Sequence, residues 1–205
     1  MNCQFCTEFA ACETTSRIMA ETAGGWVLLP TIGALTPGYC LFMPREHVDA
    51  AADLSPARLA GIATEAEQMR TVIQARYGPV ILAEHGPRGC ELGASCCSHC
   101  HLHLIPVPDP DAVLTAYEKT GGPGHRIASL TELPTVTNGS YLYLSPRPGQ
   151  HYHWHSAGFA RQFVRRVCAD QLGLGEYFDW RDHPFTANRD RTLTELSADL
   201  RSAAA

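Results

Sequence analysis

Three histidines at alternate positions make up the segment of the chain with the most chemical potential, His99-Cys100-His101-Leu102-His103. Apolar residues follow them directly, and the run over residues 97–107 predicts a strand. Because side chains alternate along a strand, the three imidazoles are expected on one face. Buried imidazoles need hydrogen-bond partners or a metal ion, so this row indicates a functional site.

The spacing of the three histidines allows three interpretations. In the first, His101 attacks phosphorus as a nucleophile, while its neighbours fix its tautomer and stabilise charge. In the second, the three imidazoles bind one metal ion, as in a carbonic-anhydrase-like site. In the third, the run lies on a solvated strand and has no chemical role. Spacing alone leaves all three open.

Cysteine usage points to metal ligands. The chain has nine cysteines, an odd number, and it begins without the basic and apolar regions of an export signal. Reduced thiols are therefore expected rather than disulfides. Cys3-Gln4-Phe5-Cys6 has the spacing of half a zinc site. A second thiol group competes with it, but two of its members are adjacent and would point to opposite sides of a strand. That group is Cys90, Cys96, Cys97 and Cys100. The remaining cysteines are expected to be small buried hydrophobic residues, namely Cys12, Cys40 and Cys168.

Length and charge limit the classes of function. The 205 residues suffice for one domain, or one domain with an extension, and the composition of 45% hydrophobic and 18% charged residues is typical of a compact core. A net charge of −5 without a basic stripe argues against a nucleic-acid polymer as partner, although one nucleotide remains compatible. No apolar stretch approaches the ~20 residues that cross a bilayer. We therefore expect no membrane partner and a cytoplasmic location.

Strand and helix signals predict an α+β fold with an antiparallel sheet. Two short apolar runs, at 26–29 and 39–43, are expected to be neighbouring antiparallel strands. A long helix is predicted from Ser55-Pro56 to Tyr77, where Gly78 ends it. Further elements are expected as strands at 79–83 and 140–145 and as helices at 111–119, at 157–172 and from about Arg189.

The order of these motifs resembles the histidine-triad (HIT) family. The matching features are a Cys-x-x-Cys start, paired strands, Pro44-x-x-His47, a long helix, and a triad followed by Leu-Ile-Pro, all within residues 1–107. The resemblance implies a HIT-like fold with a core over residues 1–108 and an N-terminal zinc knuckle. Residues 109–205 would be a linker and a C-terminal extension that packs on the core, as in longer HIT-like hydrolases.

In that family the second triad histidine is the nucleophile on the α-phosphorus of a nucleotide. The resemblance thus implies a covalent nucleotidyl-His101, assistance from His103, and water as the second acceptor. Substrates would be dinucleoside polyphosphates or nucleoside phosphoramidates. Members of the transferase branch commonly have Gln at the third triad position, so His103 favours a hydrolase. A nucleotidyltransferase or phosphorylase remains an alternative, and so does a nucleotide- or metal-binding module with little turnover.

The same resemblance suggests the missing metal ligands. Some family members hold a structural zinc ion with an N-terminal cysteine pair, the histidine of Pro-x-x-His and the first triad histidine. The corresponding residues here are Cys3, Cys6, His47 and His99. Such a site has four protein ligands and no open position, so it would orient His101 rather than react. HIT proteins are commonly homodimers, and a homodimer is expected here.

Four further residues are expected to contact substrate. Ser95 lies in the loop before the triad and offers a hydroxyl to phosphoryl oxygens. His85 lies in Glu84-His85-Gly86, where many family members have Asn-x-Gly, and it is expected to line the pocket. The resemblance to longer HIT-like hydrolases suggests that Gln162 and Arg165 reach the site from the extension.

A second row of histidines, His151-Tyr152-His153-Trp154-His155, repeats the alternation of the first. No apolar strand end follows it, and no glycine-rich loop of the triad type precedes it. We expect a strand or turn that lines the cleft and contacts the base or leaving group, with a metal site or a purely structural role as alternatives.

Overall fold

The computed structural model of the protein describes residues 3–11, 17–88, 94–95 and 97–203, with only the backbone for 201–203. Eight strands and six α-helices account for most of them. The strands are β1 (Ala20–Glu21), β2 (Trp26–Pro30), β3 (Cys40–Pro44), β4 (Val80–Gly86), β5 (Leu102–Pro106), β6 (His125–Ile127), β7 (Tyr141–Ser145) and β8 (His151–His155). The helices are α1 (Gln4–Ala10), α2 (Pro56–Tyr77), α3 (Pro110–Gly121), α4 (Leu133–Val136), α5 (Phe163–Gln171) and α6 (Thr186–Ala203).

All eight strands belong to one sheet, in the order β1-β2-β3-β5-β4-β7-β8-β6. Every neighbouring pair is antiparallel. The predicted α+β fold with an antiparallel sheet is therefore confirmed, as is the pairing of β2 with β3. The central pair of the sheet is β4 and β7. Going outwards from this pair, the strands are β4, β5 and β3 on one side and β7, β8 and β6 on the other, so the two sides repeat one chain order. The later part of the chain thus continues the sheet of the earlier part through the β4–β7 pair.

Helix α2 follows the sequence prediction closely. It begins at Pro56 because the Ser55 side chain accepts a hydrogen bond from the backbone N of Arg58, at 3.3 Å. It ends at Tyr77 because Gly78 takes a φ of 83°. Its buried face has helical spacing and packs on the sheet through Leu59, Ile62, Ala66, Met69 and Ile73. No helix among the described residues has the length and apolar character to cross a bilayer.

The sheet is covered on both faces, so side chains that alternate along a strand enter different cores. One core contains residues of α2 and α6 with Trp26, Phe42 and Tyr143. The other contains residues of α3 and α5 with Leu41 and Trp154. Because Leu41 lies opposite His103 in the β3–β5 pair, His103 projects into the second of these layers.

Two elements begin later in the structure than the sequence predicts. The strand expected from residue 97 begins only at Leu102, because the backbone N of Cys100 bonds to the carbonyl of Val48 in a loop rather than to a neighbouring strand. The helix expected from residue 157 begins only at Phe163. Gln162 has a left-handed conformation, φ 59° and ψ 34°, which a continuous helix cannot contain.

The β4–β7 pair offers a test of the fold. Gly86 lies opposite Tyr141, and a Cβ atom at Gly86 would overlap the Tyr141 ring. We expect Gly86→Ala to lower the free energy of unfolding by about 1–3 kcal/mol, since overpacking of a rigid core forces side chains off their preferred rotamers. Chemical denaturation measures it. Gly139→Ala, where nothing lies within 4 Å of the added atom, is the matched control. Equal losses in the two variants would contradict the packing described here.

Candidate active site

The histidine segment leads into an interior strand of the sheet, since His99 and His101 precede β5 and His103 lies within it. Strand β5 has β3 on one side and β4 on the other, so His103 faces Leu41 across one pair and Ala83 across the other. Two ladders of backbone hydrogen bonds thus hold this strand in a single register. The imidazoles at its start are placed by the most constrained part of the fold.

His101 has a defined orientation and protonation pattern. Its Nδ1 lies 2.6 Å from the backbone oxygen of His99 and donates to it. In a neutral imidazole the other nitrogen then has the lone pair, so Nε2 is the nucleophilic atom. The ring contacts His103 edge to face, with centroids 4.7 Å apart, and Phe5 lies 5.9 Å away. The His101 side chain lines a pocket of about 380 Å³.

His103 lies beside His101 with one unused polar atom. Its Nδ1 is 2.8 Å from the hydroxyl of Tyr39, and its Nε2 is buried without a partner among the described residues. Burial, together with nearby His101 and His85, holds its pKa well below the usual value, so the ring is neutral at pH 7. A buried polar atom without a partner is costly, and a bound ligand could satisfy it.

His85 lies between His103 and the first turn of α5. Its Nε2 accepts a hydrogen bond from the backbone N of Val164 at 3.1 Å, in the first turn of α5. Its ring lies 5.5 Å from that of His103. Burial lowers its pKa to about 3, with smaller contributions from His101 and Arg165. His85 does not line the pocket, so the structure gives it a positioning role and leaves the predicted substrate contact without support.

Ser95 and Gln162 are buried close to the site but do not line the pocket either. The Ser95 hydroxyl donates to the carbonyl of Cys97 at 2.6 Å, which occupies it within its own loop. The backbone N of Gln162 donates to Ala94 at 2.9 Å. These contacts fix the loop before the triad against the start of α5. Substrate contact by either side chain stays a prediction that this geometry does not support.

Arg165 is the predicted substrate residue that reaches the pocket. Its guanidinium donates to the carbonyls of Phe178 and Gly33, at 2.8 and 2.7 Å, and lies over the Tyr39 ring at 5.4 Å. A Cβ atom at Gly33 would overlap Trp180 and would lie 3.0 Å from the Arg165 Nη2. Glycine at this position therefore permits both residues to approach the backbone closely. Arg165 thus joins α5 to the N-terminal half of the chain and brings a positive charge to the pocket.

The pocket is built from both halves of the chain. Its lining includes Phe5, Leu41, His101, His103, Arg165 and Trp180. Sequence reasoning missed Phe5, Tyr39 and Trp180. Phe5 could have been found, since it lies between the two predicted metal ligands and must follow them to the triad. Nothing in the sequence marked Tyr39, whose partner His103 is 64 residues away.

The four predicted metal ligands converge. The ligand atoms of Cys3, Cys6, His47 and His99 all lie within 4.8 Å of one another. The His99 Nδ1 is 3.4 Å from the sulfur of Cys3 and 3.7 Å from that of Cys6. The His47 Nδ1 is 3.3 Å from the sulfur of Cys6.

The outer nitrogens of both imidazoles are also engaged. The His99 Nε2 donates to the carbonyl of Pro44 at 2.8 Å, and the His47 Nε2 lies 3.2 Å from Asp49 Oδ1. Each Nδ1 is therefore left as the lone-pair atom that faces the thiols, which is the arrangement of metal-binding histidines. The geometry fits a tetrahedral metal ion with two sulfur and two nitrogen ligands.

The two described members of the competing thiol group, Cys97 and Cys100, have different partners. The Cys97 sulfur lies 3.9 Å from the His101 Nδ1, whereas the Cys100 thiol is buried and donates to Glu84. Cys90 and Cys96 lie outside the described residues, as does Cys12. Cys40 and Cys168 are buried in the cores, as expected.

Glu84 projects to the opposite face of β4 from His85. Its Oε1 accepts from the backbone N of Ala51 at 2.9 Å, and its Oε2 accepts from the Tyr141 hydroxyl at 2.6 Å. Burial raises its pKa, which these hydrogen bonds oppose. The carboxyl group therefore ties the loop after His47 to the sheet rather than contacting a ligand in the pocket.

The second histidine row does not join the first. Leu144 shares the face of Ala83 and His103, and its partner on β8 is Tyr152. Alternation then places His151, His153 and His155 on the other face of the sheet. The expectation that they line the cleft is wrong, because β8 turns Tyr152 and Trp154 to that face of the sheet and its histidines to the other.

Several solved structures are distantly similar to part of the chain. No family model matches the chain, and no curated protein matches it. Solved structures similar to the chain belong to the family that the sequence resembles. One is a hypothetical histidine triad nucleotide-binding protein from Sulfolobus tokodaii, with 20% identity over 51% of this chain and 68% of that one, at a TM-score of 0.42. A HIT family member from Bacillus subtilis has 20% identity over 52% and 73%, at a TM-score of 0.43. A HIT family protein from Bacillus anthracis has 24% identity over 51% and 72%, at a TM-score of 0.41.

The lowered pKa of His85 predicts sensitivity to acid. In the unfolded chain His85 has an ordinary pKa of 6.5 and binds a proton below that pH. In the folded chain its pKa of about 3 keeps it neutral until the pH falls to that value. Stability from this residue is thus present above pH 6.5 and is lost as the pH falls, by roughly 1 kcal/mol per pH unit. Urea denaturation between pH 7 and 4 measures the slope. His85→Gln keeps an acceptor for Val164 but cannot titrate, so its slope should be shallower, and an unchanged slope would refute the assignment. His155→Gln, at an exposed position, is the control.

Proposed function

We propose that the protein is a hydrolase that cleaves a nucleotide at the α-phosphorus through a covalent bond to His101. The observation that carries the proposal is the hydrogen bond from His101 Nδ1 to the His99 carbonyl, beside a pocket of about 380 Å³ whose volume is typical of small-molecule sites. It fixes the tautomer that a nucleophilic imidazole needs. The resemblance of the triad segment to the HIT family supports the same chemistry.

The first step is a displacement at phosphorus. His101 Nε2 attacks the α-phosphorus, a P–N bond forms, and the bond from phosphorus to the leaving group breaks with its electron pair going to the leaving group. The His99 carbonyl stabilises the positive charge that develops on the imidazole, because it accepts the Nδ1 proton. Arg165 and the unpartnered His103 Nε2 line or adjoin the pocket, where the phosphoryl oxygens gain negative charge.

The second step returns the imidazole. Water attacks the phosphorus and loses one proton to solvent, the P–N bond breaks with its electron pair returning to the His101 Nε2, and a nucleoside monophosphate leaves. Dinucleoside polyphosphates and nucleoside phosphoramidates are the substrate classes that we propose. If phosphate or another nucleotide acceptor replaces water, the same site is a phosphorylase or nucleotidyltransferase. A binding module with little turnover is the remaining alternative, and the orientation of His101 argues against it.

We also propose that zinc occupies the Cys3, Cys6, His47 and His99 site. Two thiolates and two neutral imidazoles leave a divalent ion without net charge, which suits a half-buried position. Burial lowers the pKa of His99, which favours the neutral ligand form. The metal would join the N-terminal helix to the residue whose carbonyl orients His101. Its role would be structural.

Three further expectations stay predictions. They are the division into a core of residues 1–108 and an extension of 109–205, the homodimer, and the cytoplasmic location. Size-exclusion chromatography with light scattering would measure the oligomeric state directly.

The covalent mechanism predicts an adduct. After brief mixing with a dinucleoside polyphosphate or a phosphoramidate, mass spectrometry should find a nucleotide-sized adduct on the peptide that contains His101. His101→Ala should abolish the adduct and lower turnover roughly a thousandfold or more. His155→Ala, exposed on the opposite face, should retain both. Turnover by His101→Ala at the wild-type rate would overturn the mechanism. Products formed with and without added phosphate would separate hydrolysis from phosphorolysis.

The metal proposal predicts stoichiometric zinc. Elemental analysis of the purified protein should find about one zinc ion per chain. Cys6→Ser should lower zinc affinity roughly tenfold or more and reduce thermal stability, because one of four ligands is lost. Cys97→Ser, a half-buried thiol outside the cluster, is the control. Zinc retained fully by Cys6→Ser would contradict the ligand assignment.

A further inference from the structure

Positive charge dominates the lining of the pocket that His101 borders. Three arginines contribute to this lining, and no aspartate or glutamate does among the residues that the structure describes. One of them, Arg17, pairs with the carboxylate of Glu8, so its charge is compensated. The other two, Arg165 and Arg181, belong to the later part of the chain. In a protein with a net charge of −5, two cations at one pocket indicate a negatively charged ligand.

These two arginines have no ion-pair partner. The Arg165 guanidinium donates to the uncharged carbonyls of Phe178 and Gly33. Arg181 is exposed, and its guanidinium lies 5.3 Å from the centre of the Trp180 ring. In the part of the chain that the structure describes, no ion pair joins either arginine to an aspartate or a glutamate.

Asp179 is an acidic residue close to both arginines, but its carboxylate is engaged locally. Its Oδ1 accepts a hydrogen bond from the backbone N of Arg181 at 3.0 Å, and its side chain does not line the pocket. The pKa of Asp179 is lowered mainly by this hydrogen bond, with smaller contributions from Gln162 and from the charges of Arg181 and Arg165. One carboxylate compensates at most one of the two cations, so at least one positive charge is left for a ligand.

The two arginines approach the pocket at Gly33. A Cβ atom there would lie 2.7 Å from the Trp180 Cα and 3.0 Å from the Arg165 Nη2, so the Arg165 guanidinium and the backbone next to Arg181 meet at this glycine. Both arginines and Trp180 line the same pocket as His101. The segment after α5 thus adds a second cation to the one on α5, in the cavity that holds the proposed nucleophile.

Arginine suits one kind of leaving group better than another. When a phosphate chain leaves, the P–O bond breaks with its electron pair on the leaving oxygen, which adds to the negative charge of the chain. A guanidinium stabilises this charge by hydrogen bonds and by attraction. When an amine leaves, its nitrogen takes the electron pair and needs a proton, which an arginine does not release near pH 7. Two arginines without ion pairs therefore favour a charged leaving group.

We propose that Arg181, together with Arg165, binds the leaving group and selects nucleotides whose leaving group is a phosphate chain over those whose leaving group is an amine. The inference rests on the proposed reaction at His101 and narrows its substrates to dinucleoside polyphosphates and nucleotides of the same chemistry. Arg181 is the residue to change, because its side chain is exposed, whereas Arg165 is buried and holds two backbone carbonyls.

Two substrates that share an adenylyl group and differ in the leaving group test the selection. Arg181→Met should lower kcat/KM about tenfold for diadenosine tetraphosphate and less than about twofold for adenosine phosphoramidate. Arg181→Lys keeps the charge and should restore most of the loss, which a structural role would not predict. Arg126→Met, an exposed arginine outside the pocket, should change neither value. Equal losses for the two substrates in Arg181→Met would overturn the proposal.

Binding of tripolyphosphate separates this proposal from the reaction. Calorimetry at constant ionic strength and without divalent cations should find saturable binding to the wild-type protein and to Arg126→Met, and about tenfold weaker binding to Arg181→Met. Binding that depends on Arg181 in a protein without turnover would support the anion site and refute the reaction. Equal binding by Arg181→Met and the wild-type protein would refute the role of Arg181, whether or not nucleotides are turned over.

Discussion

The hydrogen bond from the His101 Nδ1 to the His99 carbonyl is the contact on which the proposed function depends. It determines which nitrogen of His101 has the lone pair. Its acceptor is itself held on two sides, because the His99 ring donates to Pro44 at the end of β3 and faces the thiols of Cys3 and Cys6. The orientation of the proposed nucleophile thus rests on His99, which joins the N-terminal helix, the end of β3 and the triad.

Other buried polar contacts hold the residues that surround His101 in place. Tyr39 holds His103, Arg165 lies over Tyr39, and His85 accepts from the first turn of α5. Each of these groups is buried and polar, so each has to be matched by a partner or lose stability. The same demand ties α5 to the earlier part of the chain, because Arg165 donates to the Gly33 carbonyl as well as to that of Phe178.

The symmetrical strand order gives the two halves of the sheet different tasks. The β5 segment presents its histidines to the face with α1 and α5, and β8 presents its histidines to the face with α2. A shift of one residue along a strand decides which face its histidines occupy, since alternate side chains on a strand project to opposite faces. The molecule therefore has a candidate reactive site on one face of the sheet and its second histidine row on the other.

The sequence by itself determined the elements whose signals are local. Helix α2 followed from Ser55, Pro56 and Gly78, and the central strands followed from short apolar runs. The triad and the cysteine pair were visible as spacings, and resemblance supplied the other two metal ligands, which the structure brings together. What only the tertiary structure decided depends on contacts between distant residues. The register of β8 set the face of its histidines, the left-handed Gln162 delayed α5, and Glu84, His85 and Tyr39 acquired their partners across the sheet. No local pattern encodes such pairings, because burial and hydrogen bonding between remote segments arise only when the chain has folded.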